Sequence, residues 1–409
     1  MKNILLITNI YPNNDPLYGG TGVCHFFTKE WASMGYNVRV IHFDSLFPKP
    51  FYWVGKMFNS ALQARTGCVV YTKTPHKPTN YKVDDISVTF IPLKKMIPHR
   101  QFSDKVINTA FDYATSYLEE NNFLPDVIAG HFVLPQLRFL HLFKQKYPRA
   151  TTAMILHSAG ETIPLYYKEK GRVYMESVDV WGFRSLAFKH QFESMYGAQP
   201  KEFLCYSGIP EKYLDCKKKV YTRPVKKFVF VGSLYELKRV DDTIYALNQA
   251  FPTRDFEFHI VGSGAEEKRL KQLAISLGLD AQITFHGQVA RDEAQKIIES
   301  CDCFVMVSAH EAFGLVYVES MAKGLVTIAT KGQGIDGVIK EGENGFLCES
   351  RSPQKLAKLI SHICELANAE LNAISSNAIA TANGLTNSNY SAITHLLVFV
   401  NNPDTTSRR

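Results

Sequence analysis

The sequence predicts an α/β protein with two doubly wound, Rossmann-like parallel-sheet domains that face one another across a cleft. Two observations support this. Apolar strand-like runs alternate with helix-like segments in the first half of the chain, and this alternation restarts near Phe228. The 409 residues also suffice for two domains, each with its own core. Because ligands of open parallel sheets bind beyond the carboxyl ends of the strands, we expect the functional site in the cleft.

The N-terminal domain is predicted to span residues 1–212. Its strand-like and helix-like segments follow one another as right-handed crossovers require. In chain order these segments are residues 4–10, 22–34, 38–43, 87–93, 106–119, 127–131 and 153–157.

A linker is predicted at residues 213–226, because the stretch 215–224 is polar, basic and ends in Pro224. We expect it to be a solvated connector. The second domain is predicted at residues 227–380, followed by a terminal helix at 381–401 that packs back on the core and a frayed tail at 402–409. Its predicted segments are 228–231, 242–251, 256–261, 266–277, 283–286, 292–299, 304–307, 315–322 and 326–329.

The excess positive charge belongs to the N-terminal half. Residues 1–212 carry 24 Lys and Arg against 17 Asp and Glu, whereas the remainder is balanced at 22 against 22. A basic half is typical of proteins that meet anionic lipid, an anionic acceptor or nucleic acid. No zinc-finger, RNP or helix-turn-helix pattern is present, so nucleic acid is not expected. An amphipathic stretch at 48–65 predicts a helix that lies on anionic lipid, caps the core or lines an acceptor groove.

Other features narrow the class. The eight cysteines are scattered without a C-x-x-C pair, which argues against a disulfide framework or a zinc site. There is no run of 18 apolar residues, and the first strand follows Met1-Lys2-Asn3 directly, without a signal-peptide pattern. We therefore expect a cytoplasmic protein.

Two glutamates carry the most informative pattern. Glu311 and Glu319 are separated by seven residues, between the apolar run 304–307 and the predicted helix 315–322. Carboxylates accept hydrogen bonds from sugar and ribose hydroxyls, while the free amides at the start of a helix attract a diphosphate. The arrangement therefore suits a sugar nucleotide, although two glutamates at this spacing also occur on solvated helices.

Candidate residues also follow the N-terminal strands. Gly19, Gly20 and Gly22 lie in the loop after the first strand, where glycine permits close approach of the backbone to a ligand. This spacing matches neither a dinucleotide fingerprint nor a P-loop. His131 and His157 each close an apolar strand, which places them at the edge of the predicted cleft.

Further candidates follow the C-terminal strands. Lys238 and Arg239 come after the strand and turn that end at Gly232, where cations can neutralise a diphosphate. The segment from His286 through Gln288 to Val289 ends another strand, and its backbone is expected to meet a nucleobase. Gly262 and Gly264 are interpreted as turn residues.

Together these residues resemble the retaining glycosyltransferases of family 4, which have the GT-B fold. The resemblance runs from about residue 4 to residue 390. Its most specific part is the stretch 308–324, which is similar to the E-x7-E motif of the family. Residues 331–347 resemble the glycine loop and strand that follow that motif.

The resemblance implies a role for each candidate. Glu311 would hold the hydroxyls of the donor sugar, Glu319 the ribose diol, and Lys238 the diphosphate, while His131 would lie near the transferred sugar. The implied catalytic residues are His131, Glu311 and Lys238. The donor-binding residues are Gly19, Gly20, Gly232, Ser233, Lys238, Arg239, His286, Gln288, Val289, Glu311, Phe313, Gly314, Leu315, Val316 and Glu319. Many members carry arginine where this chain has Ser233, and Arg239 is a candidate replacement.

The implied reaction is transfer of a sugar, with retained anomeric configuration, from a nucleotide diphosphate to a glycan, lipid-linked or other hydroxyl acceptor. A UDP-sugar is favoured over a GDP-sugar, and neither a cofactor nor a metal is expected. The pathway expected from the resemblance is surface polysaccharide or lipopolysaccharide assembly, in the cytoplasm and at the inner face of the membrane through the basic half.

Two alternatives remain at this stage. A sugar-nucleotide epimerase of related architecture would also bind a nucleotide diphosphate in a cleft, and would form product from the donor alone. A non-catalytic scaffold would bind a glycan or partner without turnover. A nicotinamide oxidoreductase is disfavoured because G-x-G-x-x-G is absent.

Overall fold

The computed structural model describes residues 2–12, 22–57, 75–96, 101–214 and 219–386. These residues form two α/β units, each built on one sheet.

The N-terminal sheet has eight strands within the described residues, in the spatial order β3-β4-β2-β1-β5-β6-β7-β8. In chain order the strands are β1 Asn3–Thr8, β2 Asn37–Leu46, β3 Thr79–Val83, β4 Ile86–Lys94, β5 Val127–His131, β6 Thr151–Leu156, β7 Val180–Phe183 and β8 Glu202–Leu204. All neighbouring pairs are parallel except the edge pair β3 and β4. That hairpin turns at Asp84 and Asp85, whose φ angles of 45° and 66° are those that a two-residue type I′ turn requires.

Helices cover the faces of this sheet. In chain order they are α1 Val23–Ser33, α2 Lys49–Met57, α3 Asp104–Glu120, α4 Gln136–Lys146, α5 Thr162–Tyr167, α6 Lys170–Met175 and α7 Leu186–Tyr196. The central strand β1 is buried from Ile4 to Thr8, as expected for a parallel strand covered on both faces. On one face the rings of Phe43 and Phe139 stack 3.8 Å apart, which joins β2 to α4.

The C-terminal sheet is parallel throughout, with six strands in the described part of the chain and the order β11-β10-β9-β12-β13-β14. The strands are β9 Lys227–Val231, β10 Glu257–Val261, β11 Ile283–Gly287, β12 Cys303–Val305, β13 Val326–Thr330 and β14 Phe346–Cys348. The helices are α8 Val240–Ala250, α9 Glu267–Ser276, α10 Arg291–Ser300, α11 Leu315–Ala322, α12 Pro353–Glu365 and α13 Asn368–Asn383.

The segment between the two sheets packs against the second unit. Tyr221 is buried, and its hydroxyl donates to the carbonyl oxygens of Asp302 at 2.6 Å and Gly324 at 3.2 Å. Lys219 forms an ion pair with Asp302 at 2.9 Å. The prediction of a solvated connector is therefore wrong at Lys219, Tyr221 and Val225, which find partners or burial in the second unit, whereas Val220 and residues 222–224 are exposed as expected. Residues 215–218 lie outside the described residues.

After α13 the chain returns to the crossover, the segment around residues 209–213 where it passes from the first unit to the second. Ile209 forms a parallel bridge with Thr386, and its amide donates to the carbonyl of Leu385 at 2.9 Å. The structure describes the predicted terminal helix at 381–401 only as far as residue 386. The tail at 402–409 and residues 58–65 of the predicted amphipathic helix lie outside the described part.

The prediction of two doubly wound α/β domains is confirmed. β5 and α11 have the predicted bounds, whereas β3, β7 and β8 were missed because they are short or lie at a sheet edge. Among the described residues, no helix combines the length and the apolar character needed to cross a membrane.

Candidate active site

The carboxyl ends of β9 and β12 bring a lysine and a glutamate into contact. These strands are neighbours in the sheet, and the loops that follow them are joined by a hydrogen bond of 2.7 Å from the amide of Ala309 to the carbonyl of Leu237. Nζ of Lys238 consequently lies 2.5 Å from Oε2 of Glu311. The two side chains are 12% and 14% exposed, so the ion pair is largely shielded from solvent but reachable.

Lys238 is charged at physiological pH. Burial lowers the pKa of Lys238, but the Glu311 carboxylate and then Tyr235 raise it, and the net pKa lies above the usual value. The ion pair therefore presents a fixed cation beside a carboxylate that can still accept hydrogen bonds.

A glycine loop holds Glu311 from behind. The amide of Gly334 donates to the carbonyl of Glu311 at 2.9 Å. Gly334 has a φ of 52°, and an added Cβ would lie 2.9 Å from Cγ of Glu311 and 3.0 Å from the carbonyl oxygen of Phe313. Only glycine fits this close approach, so the loop constrains where the Glu311 carboxylate can lie.

The N-terminus of α11 opens directly after Glu311. Gly314 adopts a left-handed φ of 82° and caps the helix, which begins at Leu315. Phe313 is buried against the ring of Tyr206, while Leu315 and Val316 are half-buried. Because the first amides of a helix have no carbonyl one turn earlier, this terminus supplies donors for an anion.

Glu319 lies one turn further into α11 and is 7% exposed. Its Oε1 accepts from Nη2 of Arg291 at 2.5 Å, and its Oε2 accepts from Nε2 of Gln295 at 2.6 Å. Both partners belong to α10. Sequence reasoning missed them, although the i, i+4 spacing of Arg291 and Gln295 places them on one helix face.

The cation next to Lys238 points elsewhere. Arg239 has a left-handed φ of 51°, and its guanidinium donates to both oxygens of Asp242, at 2.8 and 3.1 Å. This pairing occupies Arg239 at the start of α8. The structure therefore does not bring Arg239 beside Glu311, and Ser233 is an exposed residue of the same loop.

Close backbone packing surrounds the turn after β9. The amide of Gly232 donates to the carbonyl of Val261 at 2.9 Å. An added Cβ at Gly262 would lie 1.9 Å from the Gly232 carbonyl oxygen, so Gly262 is required by packing. Gly264 meets the carbonyl of Leu234 in the same way, at 2.3 Å.

The predicted nucleobase segment lies at the end of β11. Nε2 of His286 and Nδ1 of His259 are 3.0 Å apart, and burial followed by His259 lowers the pKa of His286. Gln288 is exposed and Val289 is half-buried, directly after Gly287 with its φ of 67°. These residues border the C-terminal sheet at its β11 edge, two strands away from β9.

The N-terminal histidines form a pair inside the protein. His131 ends β5, and its Nδ1 lies 3.2 Å from Nε2 of His157, which follows β6. His131 is fully buried against the ring of Phe27, and its Nε2 has no hydrogen-bond partner among the residues that the structure describes. Burial, and then the Arg184 guanidinium, lower the pKa of His131 to about 3, so the imidazole is neutral at physiological pH. It lies at the expected edge of the sheet, but enclosed.

The two units meet beside Glu311. The ring of Phe188 in α7 lies 5.8 Å from the ring of His310, and Nε2 of Gln191 donates to the carbonyl of Gly332 at 3.4 Å. The glycine loop that holds Glu311 is therefore also a contact with the N-terminal unit. The predicted donor-binding residues Gly19 and Gly20 lie outside the described residues.

Comparison with known proteins is consistent with this arrangement. Residues 217–381 match the sequence model of the family described as glycosyl transferases group 1. An uncharacterized glycosyltransferase of Methanocaldococcus jannaschii is 28% identical over 250 residues, which cover 60% of this chain and 66% of that protein. The match thus spans slightly less than two thirds of that relative.

Two solved structures resemble the whole chain. The lipopolysaccharide outer core galactosyltransferase WaaB, in its apo form, has a TM-score of 0.67 and 16% identity over 98% of this chain and 100% of that one. HepE of Anabaena, in complex with UDP-glucose, has a TM-score of 0.64 and 18% identity over 97% and 100%. At these identities the likeness establishes the fold, and the predicted GT-B arrangement is confirmed.

Proposed function

We propose that this protein is a retaining glycosyltransferase of family 4, which moves a sugar from a nucleotide diphosphate to a hydroxyl acceptor. The proposal proceeds from the match of residues 217–381 to group 1 glycosyl transferases and from the chemistry around Glu311.

The contact between Lys238 and Glu311 carries the proposal. A shielded ion pair of 2.5 Å stands beside the N-terminus of α11, at the carboxyl ends of two adjacent parallel strands. A cation and free amides bind a diphosphate, while the adjacent carboxylate accepts hydroxyls of the sugar attached to it. A solvated surface pair would have neither the shielding nor the glycine loop that fixes it.

The reaction needs no nucleophile from the protein. The bond between the anomeric carbon and the diphosphate oxygen breaks, and the acceptor oxygen bonds to the same face of that carbon. The acceptor proton passes to the departing phosphate oxygen. The protein positions the reactants and stabilises the negative charge that develops on the leaving group, through Lys238 and the α11 amides.

His131 then acts as a neutral hydrogen-bonding group. Because burial and Arg184 lower its pKa to about 3, it does not supply a proton at physiological pH. Its Nε2 is buried and has no partner among the described residues, so under this proposal a sugar hydroxyl would supply the missing hydrogen bond.

The donor and acceptor follow as finer parts of the proposal. HepE is described in complex with UDP-glucose, which favours a UDP-sugar here. WaaB is described as a lipopolysaccharide outer core enzyme, which together with the basic N-terminal half favours a glycan or lipid-linked acceptor of surface polysaccharide assembly. The protein would then work in the cytoplasm, peripherally at the inner face of the membrane.

A two-stage assay tests the function. The protein is first titrated calorimetrically with UDP and GDP. It is then incubated with UDP-glucose, UDP-galactose, UDP-N-acetylglucosamine and GDP-mannose, with and without a lipid-linked glycan extract, and release of the nucleotide diphosphate is measured. Proton NMR of the product gives the anomeric configuration.

We expect acceptor-dependent release of one nucleotide diphosphate and a product with retained anomeric configuration. The variants Lys238→Met and Glu311→Gln should release no nucleotide diphosphate and form no product. Conversion of a sugar nucleotide to its epimer without acceptor would contradict transfer. Absence of binding to both UDP and GDP would contradict the proposal altogether, and an inverted product would contradict the retaining mechanism.

A further inference from the structure

The Glu319 carboxylate is held at both oxygens by one face of α10. Arg291 donates to Oε1 at 2.5 Å, and Gln295 donates to Oε2 at 2.6 Å. These bonds join α10 to α11 and compensate a carboxylate that is only 7% exposed, and because they hold both of its oxygens they also fix its orientation.

Arg291 is itself fixed at a second point. Its side chain is 53% exposed, yet the guanidinium carbon lies 5.3 Å from the centre of the Tyr213 ring. Tyr213 is buried and belongs to the short 3-10 turn Glu211–Tyr213 in the crossover between the two units. An arginine that lies over a ring and is bonded to a carboxylate has restricted freedom, and so does the Glu319 carboxylate that it binds.

The Glu319 carboxylate has acceptor positions that Arg291 and Gln295 do not occupy. An ionised carboxylate accepts about four hydrogen bonds. Arg291 and Gln295 use one acceptor position on each oxygen, and the others remain for the two hydroxyls of a vicinal diol. Without Arg291, a carboxylate that is only 7% exposed would carry an uncompensated charge and would no longer be held in one orientation.

We propose that Arg291 is a positioning residue for nucleotide recognition: with Gln295, it holds Glu319 so that its free lone pairs accept both ribose hydroxyls. This inference rests on the proposed function, because it assumes a nucleotide donor at the C-terminal sheet. It adds a residue on α10 that neither touches the sugar nor takes part in the bond changes.

The experiment measures ribose discrimination. Calorimetry compares UDP with 2′,3′-dideoxy-UDP, and GDP with 2′,3′-dideoxy-GDP, for the full chain and its variants. The variants are Arg291→Met, which removes the charge and both fixing contacts, and Arg291→Lys, which keeps the charge. The control is Lys296→Met, which breaks an exposed ion pair of 3.5 Å with Glu293 within α10, the helix of Arg291.

We expect the wild-type protein to prefer the ribose form by tenfold or more, as about 1.5 kcal/mol for a hydrogen bond to a charged group implies. Arg291→Met should reduce the preference to less than threefold, Arg291→Lys should give an intermediate value, and Lys296→Met should match the wild type. A cooperative thermal unfolding transition confirms that each variant is folded. If Arg291→Met does not fold, the Arg291→Lys comparison decides alone.

The outcomes separate this inference from the proposed function. If Arg291→Met or, where that variant does not fold, Arg291→Lys retains the full preference for the ribose form, Arg291 has no positioning role and the inference is overturned while the function stands. Equal wild-type affinity for ribose and dideoxyribose forms overturns the inference as well. Failure of the wild type to bind either UDP or GDP overturns the proposed function.

Discussion

Replacement of Lys238 by methionine tests the site most directly. Methionine keeps much of the length and the apolar stem of lysine but removes the charge. In the structure this charge lies 2.5 Å from Glu311, and the two side chains are 12% and 14% exposed. The substitution therefore removes the proposed diphosphate ligand and leaves the Glu311 carboxylate without its cation.

The magnitude follows from the type of bond lost. A hydrogen bond between a charged donor and a phosphate oxygen contributes about 1.5 to 3 kcal/mol, which corresponds to roughly tenfold to 150-fold in affinity. The uncompensated Glu311 carboxylate also repels the diphosphate, so the upper part of this range is expected. Burial lowers the pKa of Lys238, but Glu311 and then Tyr235 raise it above the usual lysine value, so the wild-type affinity should not decline through loss of this charge at any pH at which a free lysine stays protonated.

Isothermal titration calorimetry with UDP and GDP measures the effect, and the neighbouring cation provides the comparison. Arg239→Met removes a guanidinium that the structure pairs with Asp242 at 2.8 and 3.1 Å, so it should reduce thermal stability with less than a threefold change in nucleotide affinity. An unchanged affinity in Lys238→Met, or an equal loss in Arg239→Met, would refute the assignment of the diphosphate to Lys238.

Three further predictions concern the glycine loop, the buried histidine and the basic half. Gly334→Ala should lower kcat by about tenfold to a hundredfold in the transferase assay, because the added Cβ displaces Glu311. Gly332 has a similar φ of 74°, but no atom lies within 4 Å of an added Cβ there, so Gly332→Ala should lower kcat far less. Equal losses of kcat in the two variants would contradict this prediction. Because the pKa of His131 is about 3 in the folded protein and about 6.5 in the unfolded chain, this histidine lowers the free energy of unfolding as the pH drops through that range. In chemical denaturation, the free energy of unfolding of the wild type should fall by roughly 2 kcal/mol more than that of His131→Gln between pH 7 and pH 5. Equal losses in the two proteins would refute this prediction. In flotation assays the protein should bind vesicles that contain anionic lipid and should dissociate at high salt. The Trp53 side chain is 73% exposed on α2, so Trp53→Ala should bind these vesicles more weakly. Binding that is independent of anionic lipid would exclude the membrane part of the proposal.

The sheet architecture was predictable because its signals are local. Buried parallel strands such as β5 read as continuous apolar runs, and α11 begins directly after Gly314, which caps it. The edge strand β3 has no such run, since only one of its sides is paired and most of its residues are exposed or half-buried. Its existence depends on pairing with β4, which is a tertiary contact.

The site was predictable in position but not in connectivity. Strand ends indicated Lys238 and Glu311 separately, and Glu311 comes 73 positions after Lys238, so only the pairing of β9 with β12 brings the two together. The direction of the Arg239 side chain depends on its left-handed backbone conformation, which no sequence pattern predicts. Arg291 was overlooked because its partner, Glu319, lies 28 residues later, and an arginine at the start of a helix is unremarkable by itself.

Glu311 and Glu319 each form an ion pair with a cationic side chain from another segment of the C-terminal unit. Glu311 is paired with Lys238 and Glu319 with Arg291, each at 2.5 Å, so each carboxylate is compensated before any ligand binds. A diphosphate therefore does not approach a negatively charged pocket, and the carboxylates need not reorient to accept hydroxyls, which lowers the ordering cost of binding. The pairs differ in their expected response to the ligand: Lys238 exchanges part of its contact with Glu311 for phosphate oxygens, whereas Arg291 keeps Glu319 throughout. Under the proposed function, loss of Lys238 should therefore weaken every nucleotide diphosphate alike, and loss of Arg291 should weaken only those that carry a ribose diol.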